Sequence, residues 1–186
     1  EALSSFDLSV DQKTVLVIGG SLGAKTLNES VLKDIEKIAQ RDIQFLWQCG
    51  KGYYDQIRAD FPSLPKQIKL MPFISRMDAA YSAADIVVSR AGALSVSELC
   101  LVGKPIVLVP SPNVSEDHQT KNAMALVGNN AAVLIADVDS REKLIDEVYR
   151  LMADTERQKD LCENIDKLAK PNATKDIVNA CETLLK

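Results

Sequence analysis

A glycine-rich turn follows the first apolar run of the chain, where residues 15–26 read VLVIGGSLGAKT. Because Gly19, Gly20 and Gly23 have no Cβ, this turn lets the backbone approach a ligand closely. The residues after it read as a helix, so free amide groups and the positive end of the helix dipole point at the same place. A phosphate or diphosphate is the natural ligand of such a turn.

The turn comes close to two known phosphate-binding patterns and fulfils neither. Residues 19–26 lack only the last glycine of the Walker pattern G-x-x-x-x-G-K-[ST], because Ala24 replaces it. The run DIVV at 85–88 has its acid at the start of a strand, whereas a magnesium-binding acid is expected at the end. A dinucleotide fingerprint fails because its glycine spacing is absent and the second strand ends FLWQCG without a carboxylate. Glycines that only make a tight strand-to-helix turn are the structural alternative.

A second candidate segment is SRAGALSVSELCLVGKP, residues 89–105. We expect a helix from Ser95 with Glu98 in its first turn, where a carboxylate can accept two hydrogen bonds from the vicinal hydroxyls of a ribose. The same S-x-x-E spacing is that of a capping box, in which Ser95 caps the helix and Glu98 bonds back to the backbone. The spacing leaves both roles open, and both hold if the ligand displaces the return bond.

Two further loops follow predicted strands. In MPFISRM, residues 71–77, Phe73 and the peptide group at Ile74 suit a flat base, although a core Phe73 that staples the next helix is the simpler interpretation. In PSPNVSEDHQTKNA, residues 110–123, Gln119 and Asn122 lie on one face of a predicted helix and can bind a polyhydroxylated ligand. The alternative there is a solvated helix start capped by Asp117.

The composition of the 186 residues narrows the function. With 46% apolar and 26% charged residues, the chain is typical of one globular domain with a sizeable core. Its apolar runs are too short to span a bilayer and it opens without a signal-peptide pattern, so we expect a soluble, intracellular protein. A net charge of −4 argues against broad nucleic-acid binding, so an anionic ligand must be held locally.

The cysteines and the single histidine predict neither disulfides nor a metal site. Cys49, Cys100, Cys162 and Cys181 are scattered without a C-x-x-C pair, which predicts buried, reduced thiols. The run at 116–118, Glu-Asp-His, is too local for its side chains to converge on one ion. We therefore expect no metal and no cofactor.

The elements that position these loops alternate between strand and helix. Short apolar runs without alternation predict six strands, typical of a parallel sheet covered on both faces, at 15–18, 43–47, 68–71, 86–88, 106–109 and 132–135. Helical patterns cover 25–40, 53–60, 75–83, 95–102, 118–128, 141–153, 156–168 and 174–185. The predicted fold is therefore α/β, a doubly wound, mostly parallel, Rossmann-like six-stranded sheet whose ligands bind beyond the carboxyl ends of the strands.

Three segments in this order and spacing, GGSLGA, PFISRMDAAYSAADIVVSRAGALSVSE and DHQTKNAMAL, resemble the C-terminal half of the MurG family of bacterial N-acetylglucosaminyltransferases. The match runs from about Thr14 to the end of the chain. It implies one half of a GT-B glycosyltransferase, with residues 14–186 as the C-terminal UDP-sugar donor-binding domain, closing helices at about 156–185, and an interdomain linker remnant at 1–13. Because the chain opens with the polar stretch EALSSFDLSVDQK and no methionine, we expect a fragment cut at a domain boundary.

The resemblance implies the contacts to the donor, UDP-N-acetylglucosamine. The implied positions are Gly20, Ser21, Gly23, Phe73, Ile74, Ala93, Leu94, Ser95, Glu98, Gln119 and Asn122. The turn residues would face the diphosphate, Ile74 would bind uracil through its backbone, and Glu98 would hold the ribose. Gln119 would read the sugar hydroxyls together with Asn122. Some members of the family have two glutamines where this chain has His118 and Gln119, which leaves the role of His118 open.

The implied reaction is an inverting displacement in peptidoglycan synthesis. The muramyl C4 hydroxyl of lipid I attacks the anomeric carbon of N-acetylglucosamine, UDP leaves, and lipid II forms. Amides and a helix N-terminus aimed at the leaving diphosphate stabilise its growing charge. The general base, the lipid I site and the peripheral contact with the inner membrane, at its cytoplasmic face, would belong to a missing N-terminal domain. The chain alone is expected to bind donor and to be inactive, and residues 171–186 are expected to pack loosely.

Other functions remain open from the sequence. The chain could be a separate donor subunit of a split N-acetylglucosaminyltransferase. The Walker near match leaves a P-loop-like nucleoside triphosphatase, for which magnesium-dependent ATP or GTP binding would require Lys25. A pure interaction module, in which the turn is only structural, predicts no nucleotide binding.

Overall fold

The computed structural model describes residues 1–184, and within them six parallel strands form one sheet in the order β3-β2-β1-β4-β5-β6. The strands are β1 (Lys13–Ile18), β2 (Ile43–Gln48), β3 (Ile68–Met71), β4 (Ile86–Ser89), β5 (Ile106–Leu108) and β6 (Val133–Leu134). Each predicted strand is confirmed, with ends that move by two residues at most. The predicted parallel pairing is confirmed throughout the described sheet.

The helices of the described chain lie between and after these strands. They are α1 (Lys25–Lys33), α2 (Ile35–Ala39), α3 (Lys51–Asp60), α4 (Met77–Ala83), α5 (Ala93–Val102), α6 (His118–Val127), α7 (Asp137–Ala153), α8 (Thr155–Asp166) and α9 (Ala173–Leu184). The single helix predicted at 25–40 is wrong. It is broken at Asp34, whose φ of −101° and ψ of 21° do not continue the helix. The predicted end of the last helix, at 185, lies outside the described residues.

The sheet is covered on both faces, as the non-alternating apolar strands predict. Val15 and Val17 point into a core with α1, α3 and α7, whereas Leu16 and Ile18 point into a core with α4, α5 and α6. All four side chains are buried. Because successive side chains of a strand alternate between faces, both faces must be apolar, and the doubly wound α/β prediction is confirmed.

The strand order places a topological switch point between β1 and β4. The chain moves outward from β1 to β2 and β3, then returns to the other side of β1 at β4. Ile18 and Ser89 are register partners at the carboxyl ends of these two strands. The loops that leave them diverge, and such a divergence opens the crevice in which α/β sheets bind their ligands.

The segment expected to be a linker packs onto the sheet. A 3₁₀ turn covers Ser4–Phe6, Leu8 is buried, and the backbone N–H of Ser9 donates to Gln44 Oε1 at 2.9 Å. These contacts hold the segment against the amino end of β2. The domain boundary at 13/14 stays a prediction.

Helix α9 has no buried residue in its described span, and Ile177, Val178 and Leu184 expose their side chains. The expectation that residues 171–186 pack loosely stays a prediction, and residues 185–186 lie outside the described chain. Within residues 1–184, no helix combines the length and apolar character needed to cross a membrane.

The cysteine prediction is correct for two of the four thiols. Cys49 and Cys100 are buried, and burial raises the pKa of Cys49 to about 11, which keeps that thiol protonated. Cys162, on α8, is half-buried. Cys181 is exposed because it lies on α9, which has no buried residue in the described chain. All four are free thiols.

Candidate functional site

A cleft of about 700 Å³ opens at the carboxyl edge of the sheet, beside the switch point. It lies among the turn after β1, the start of α1, the loops after β4 and β5, and the start of α7. Its lining residues are Gly19, Gly20, Ser21, Leu22, Gly23, Ala24, Lys25, Thr26, Tyr53, Arg90, Gly92, Ser95, Ser111, Asn113, Gln119, Asp137 and Arg141. The site therefore lies where the predicted fold placed it.

The turn after β1 is built on backbone contacts. The N–H of Gly23 donates to the carbonyl of Gly20 at 3.0 Å, which closes a β-turn. A Cβ on Gly23 would lie 1.9 Å from the carbonyl oxygen of Cys49, and φ there is +80°. The structural alternative is therefore right for Gly23. A Cβ on Gly20 would meet no described atom within 4 Å although φ is +82°, so space at Gly20 is left for a ligand.

Helices α1 and α5 begin at the cleft, and neither has a side-chain cap from any residue in 1–184. Helix α1 follows Ala24, helix α5 follows Gly92, and neither has an acidic residue in its first turn. The amides of these first turns are thus open to an anion, with both helix dipoles favouring negative charge.

The capping-box prediction at 95–98 is wrong. Helix α5 begins at Ala93, two residues earlier than predicted, so Gly92 occupies the cap position. Ser95 lies inside the first turn and Glu98 lies in the second. The early start removes the geometry that a capping box needs, because the box requires Ser95 at the cap position and Glu98 in the first turn.

An ion pair that the sequence analysis missed forms the floor of the cleft. Arg90 Nη1 lies 2.5 Å from Asp137 Oδ1 and also donates to the carbonyls of Val109 and Pro110. The second oxygen of Asp137 accepts a hydrogen bond from Thr26 Oγ1 at 3.0 Å. Side-chain exposure of 13% for Arg90 and 16% for Asp137 makes this a largely buried pair. The network joins the elements that follow β1, β4 and β6.

A signal for these residues exists in the sequence. Arg90 follows the short apolar strand β4 directly and Asp137 comes three residues after the end of β6, at the edge where α/β proteins bind ligands. Arg141, one turn further along α7, also lines the cleft and pairs with Glu29 through its Nη2 at 2.5 Å. Nothing in the local sequence says that these side chains converge.

The charge of the cleft is opposite to that of the chain. Lys25, Arg90 and Arg141 bring three positive charges to the lining. Asp137 in the lining and Glu29, which pairs with both Lys25 and Arg141, bring two negative charges, so one positive charge is left over in a chain whose net charge is −4. Together with the two uncapped helix ends, this excess favours an anionic ligand. The prediction that an anion would be held locally agrees with this arrangement.

The contacts argue against the P-loop interpretation. Thr26, the residue that would meet magnesium, is buried and its hydroxyl donates to Asp137. Asp85 lies at the amino end of β4, where it accepts from the N–H of Thr14 at 2.8 Å and pairs with Lys13. It is therefore at the edge of the sheet opposite the cleft. In residues 1–184, no group of three or more His, Cys, Asp or Glu side chains is arranged to hold a metal ion.

The predicted donor contacts divide between the cleft and its surroundings. Gly20, Ser21, Gly23, Ser95 and Gln119 line the cleft. The positions outside this lining are Phe73, Ile74, Ala93, Leu94, Glu98 and Asn122.

The loop after β3 exposes one of its two apolar residues and buries the other. Phe73 is 43% exposed, so its interpretation as a core residue is wrong, and Lys51 Nζ lies 5.7 Å from its ring centroid. Ile74 is buried instead, and its N–H donates to Gln48 Oε1 at 2.8 Å. The backbone N–H of Ile74 is therefore already bonded to Gln48. Uracil binding by the Ile74 backbone stays a prediction.

Glu98 lies exposed on α5, where it accepts a hydrogen bond from the hydroxyl of Tyr81 on α4 at 3.3 Å. Burial and, after it, the neighbouring Glu98 carboxylate raise the pKa of the Tyr81 hydroxyl, which keeps it a donor to Glu98. Ala93 and Leu94 are exposed on the first turn of the same helix. These groups lie outside the lining of the cleft.

Gln119 and Asn122 both bond to the backbone of Ala91, in the loop after β4. Gln119 Oε1 accepts from the N–H of Ala91 at 3.2 Å and of Ser111 at 2.9 Å. Asn122 Nδ2 donates to the carbonyl of Ala91 at 3.0 Å. The two amides thus join α6 to the cleft wall, with Gln119 in the lining itself.

The predicted cap of α6 is wrong in its detail. Asp117 occupies the cap position with φ of +52°, and its side chain accepts from the hydroxyl of Thr120 at 2.6 Å rather than from a backbone amide. His118 is exposed, and its Nδ1 lies 2.8 Å from the carbonyl of Ser115.

Comparison with known families identifies the chain. Residues 14–179 match the glycosyltransferase family 28 C-terminal domain. The chain belongs to this family. The matched range contains every strand of the sheet except the first residue of β1, and every loop of the cleft.

Curated relatives are similar over almost the whole chain. It is 52% identical over 184 residues to a protein of Parabacteroides distasonis named "UDP-N-acetylglucosamine--N-acetylmuramyl-(pentapeptide) pyrophosphoryl-undecaprenol N-acetylglucosamine transferase". The match covers 96% of the chain and 49% of that protein. A protein of the same name from Christiangramia forsetii is 49% identical over 185 residues, with 100% of the chain and 50% of that protein covered. The chain spans about half the length of the curated relatives it matches.

A solved structure supports the same family. The crystal structure of Acinetobacter baumannii MurG matches 94% of the chain and 53% of its own length, with a TM-score of 0.79 and 31% sequence identity. The resemblance to the MurG family and the prediction of a GT-B half are thus confirmed.

Proposed function

We propose that this chain is the donor-binding half of an inverting transferase that moves N-acetylglucosamine from UDP-N-acetylglucosamine to lipid I, forming lipid II. The observation that carries this proposal is the cationic cleft at the switch point, in a chain about half identical to proteins named N-acetylglucosamine transferases. A nucleoside diphosphate sugar has the charge that this cleft favours.

The cleft suits a leaving diphosphate. As the bond to the anomeric carbon breaks, negative charge grows on the diphosphate, and groups already aimed at it stabilise the transition state. The first-turn amides of α1 and α5 supply such groups, and Arg90 adds a cation whose position Asp137 fixes. Gln119 lies in the same lining and suits the sugar hydroxyls.

The acceptor side is assigned to the other half of the protein. The relatives are about twice as long as this chain, and we place the general base, the lipid I site and a contact with the cytoplasmic face of the membrane in that half. We expect the chain alone to bind donor without transferring it. A separate donor subunit of a split transferase would use the same cleft in the same way.

Titration calorimetry with UDP-N-acetylglucosamine, UDP and ATP, each with and without magnesium, tests the proposal. We expect both uridine ligands to bind in either condition and ATP not to bind. Glu98→Ala should weaken UDP binding by about tenfold or more, because a charged acceptor for the ribose hydroxyls is lost. Glu163→Ala removes an exposed carboxylate on α8 and serves as the matched control, with unchanged affinity.

Two outcomes contradict the proposal. Magnesium-dependent ATP binding that is lost on changing Lys25 would favour the P-loop interpretation. Failure of the parent chain to bind any of the three ligands would favour a turn that is only structural.

A further inference from the structure

Gln48 connects two loops that border the candidate site. It is the last residue of β2, the strand that lies between β1 and β3. Its Nε2 donates to the carbonyl of Gly20 at 3.0 Å, in the turn after β1. Its Oε1 accepts from the N–H of Ile74 at 2.8 Å, in the loop after β3. One side chain therefore holds both loops.

The chemistry of this bridge requires a primary amide. Gly20 offers an acceptor and Ile74 offers a donor, and a neutral amide side chain supplies the complementary donor and acceptor at one end. Gln48 is 5% exposed and Ile74 is 1% exposed, so the bond between them is shielded from water. Removing the amide would leave the buried N–H of Ile74 without a partner, which is costly, whereas the exposed Gly20 would keep only the bond from Gly23.

The bridge fixes a distance between two kinds of binding surface. The turn containing Gly20 opens onto the cationic cleft, whereas the loop containing Ile74 presents the exposed ring of Phe73 beside it. One surface suits a diphosphate and the other suits a flat base. A ligand that has both groups gains from both surfaces only when their spacing matches its own, as in any two-point attachment.

We propose that Gln48 is a positioning residue that sets the spacing between the diphosphate turn and the base-binding loop, and thereby selects ligands that carry both groups. This inference rests on the proposed function, since it takes a nucleoside diphosphate as the ligand. Gln48 does not touch the ligand in this proposal. It acts through Gly20 and Ile74.

Substitution by methionine tests this role, because Gln48→Met keeps the length of the side chain and removes both hydrogen bonds. The probes are UDP, which has both groups, and uridine and inorganic pyrophosphate, which have one each. Calorimetry measures UDP, and amide chemical shifts of the labelled chain measure the two weaker ligands. We expect the affinity for UDP to fall by about tenfold or more, and the affinities for uridine and pyrophosphate to fall by less than about threefold.

Gln44 provides a matched control on the same strand. It is a buried glutamine at the amino end of β2, whose Nε2 donates to the carbonyl of Ser9 at 2.8 Å and to Thr14 Oγ1 at 2.9 Å. Gln44→Met removes an equivalent amide at the opposite edge of the sheet. It should lower the stability of the fold and leave the affinity for UDP within about twofold of that of the parent chain.

A second variant separates the two bonds and covers the case in which Gln48→Met does not fold. Gln48→Glu keeps an oxygen that accepts from Ile74 and loses the donor to Gly20. We expect it to weaken pyrophosphate and UDP while uridine binding stays near that of the parent chain. A greater loss for uridine than for pyrophosphate would contradict the assignment of the two loops.

The remaining outcomes separate this inference from the proposed function. UDP affinity unchanged in Gln48→Met, or an equal loss for all three ligands, would contradict a role in spacing and leave the proposed function intact. Absence of UDP binding in the parent chain would contradict both, and it would be seen before any variant is made.

Discussion

The two walls of the cleft are built in different ways. On the β1 side, the turn at 19–24 depends on backbone geometry, with Gly23 pressed against the carbonyl of Cys49 and the amides of α1 left open. On the β4 side, the wall depends on side chains, with Arg90 bonded to Asp137 and to two carbonyls. The first wall is made of consecutive residues, although Gly23 also packs against Cys49 after the neighbouring strand. The second wall joins distant segments, because Arg90 and Thr26 lie 47 and 111 positions before Asp137 in the sequence.

The difference explains which wall the sequence reveals. A turn made of glycines has a local signature, because glycine marks the positions where the backbone takes a positive φ, as at Gly20 and Gly23. An ion pair between distant segments has none, because its partners meet only after the sheet has formed. Each wall should therefore fail in its own way when it is altered.

The largest effect is expected at Gly23. Gly23→Ala places a Cβ at 1.9 Å from a backbone carbonyl and at φ of +80°, so the turn or β2 must move. We expect a loss of about 4 kcal/mol or more in the free energy of unfolding, measured by urea denaturation, and loss of UDP binding. Gly20→Ala is the control, since its Cβ meets open space, and it should cost only about 1 kcal/mol, for its positive φ. Equal losses at both glycines would break the distinction between tight and open positions in this wall.

The second effect belongs to the ion pair. Asp137→Ala leaves the Arg90 guanidinium largely buried without its carboxylate and takes the acceptor from Thr26. We expect a loss of about 2–4 kcal/mol in the free energy of unfolding and weaker UDP binding, because Arg90 is no longer held in place. Asp139→Ala is the control on the same helix. Its pair with Lys143 is exposed and within one turn, so the loss should be below about 0.5 kcal/mol. A loss at Asp137 as small as that at Asp139 would contradict a wall held by side-chain contacts.

The smallest effect tests whether UDP affinity depends on the two walls of the cleft and not on packing elsewhere in the fold. Tyr149, on α7, has a buried hydroxyl without a hydrogen-bond partner in residues 1–184. Tyr149→Phe should therefore stabilise the fold by about 1 kcal/mol and leave UDP binding unchanged. Weaker UDP binding in this variant would show that ligand affinity follows global packing rather than the two walls.

The same residue predicts a dependence on alkaline pH. Burial, the largest cause, raises the pKa of Tyr149 to about 12, from about 10 in the unfolded chain. Above pH 10 the unfolded chain loses this proton and the folded chain keeps it, so the folded state is stabilised fully below pH 10 and progressively less as the pH rises toward 12. Urea denaturation of the parent chain should show this fall in stability, and Tyr149→Phe should make it shallower. An unchanged slope in the variant would contradict the assignment to Tyr149.

The sequence by itself determined the fold and the place of the site. Six apolar runs such as VLVI and DIVV specify strands covered on both faces, and their alternation with helices specifies a doubly wound sheet with a crevice at its carboxyl edge. The glycine turn, with Gly20 and Gly23, could be identified for the same reason, since its signal is local. The segments on which the family resemblance rested include loops at this edge.

Only the tertiary structure decided the contacts across the site. The start of α5 at Ala93 rather than Ser95 overturned the capping-box role of Glu98 and left its ribose role a prediction. The structure also exposed Phe73, which was expected in the core, and buried Ile74, whose N–H is held by Gln48 from a neighbouring strand. Arg90, Asp137 and Gln48 act through partners far away in the sequence. A local sequence pattern cannot predict the distance between residues that come together only when the sheet has folded.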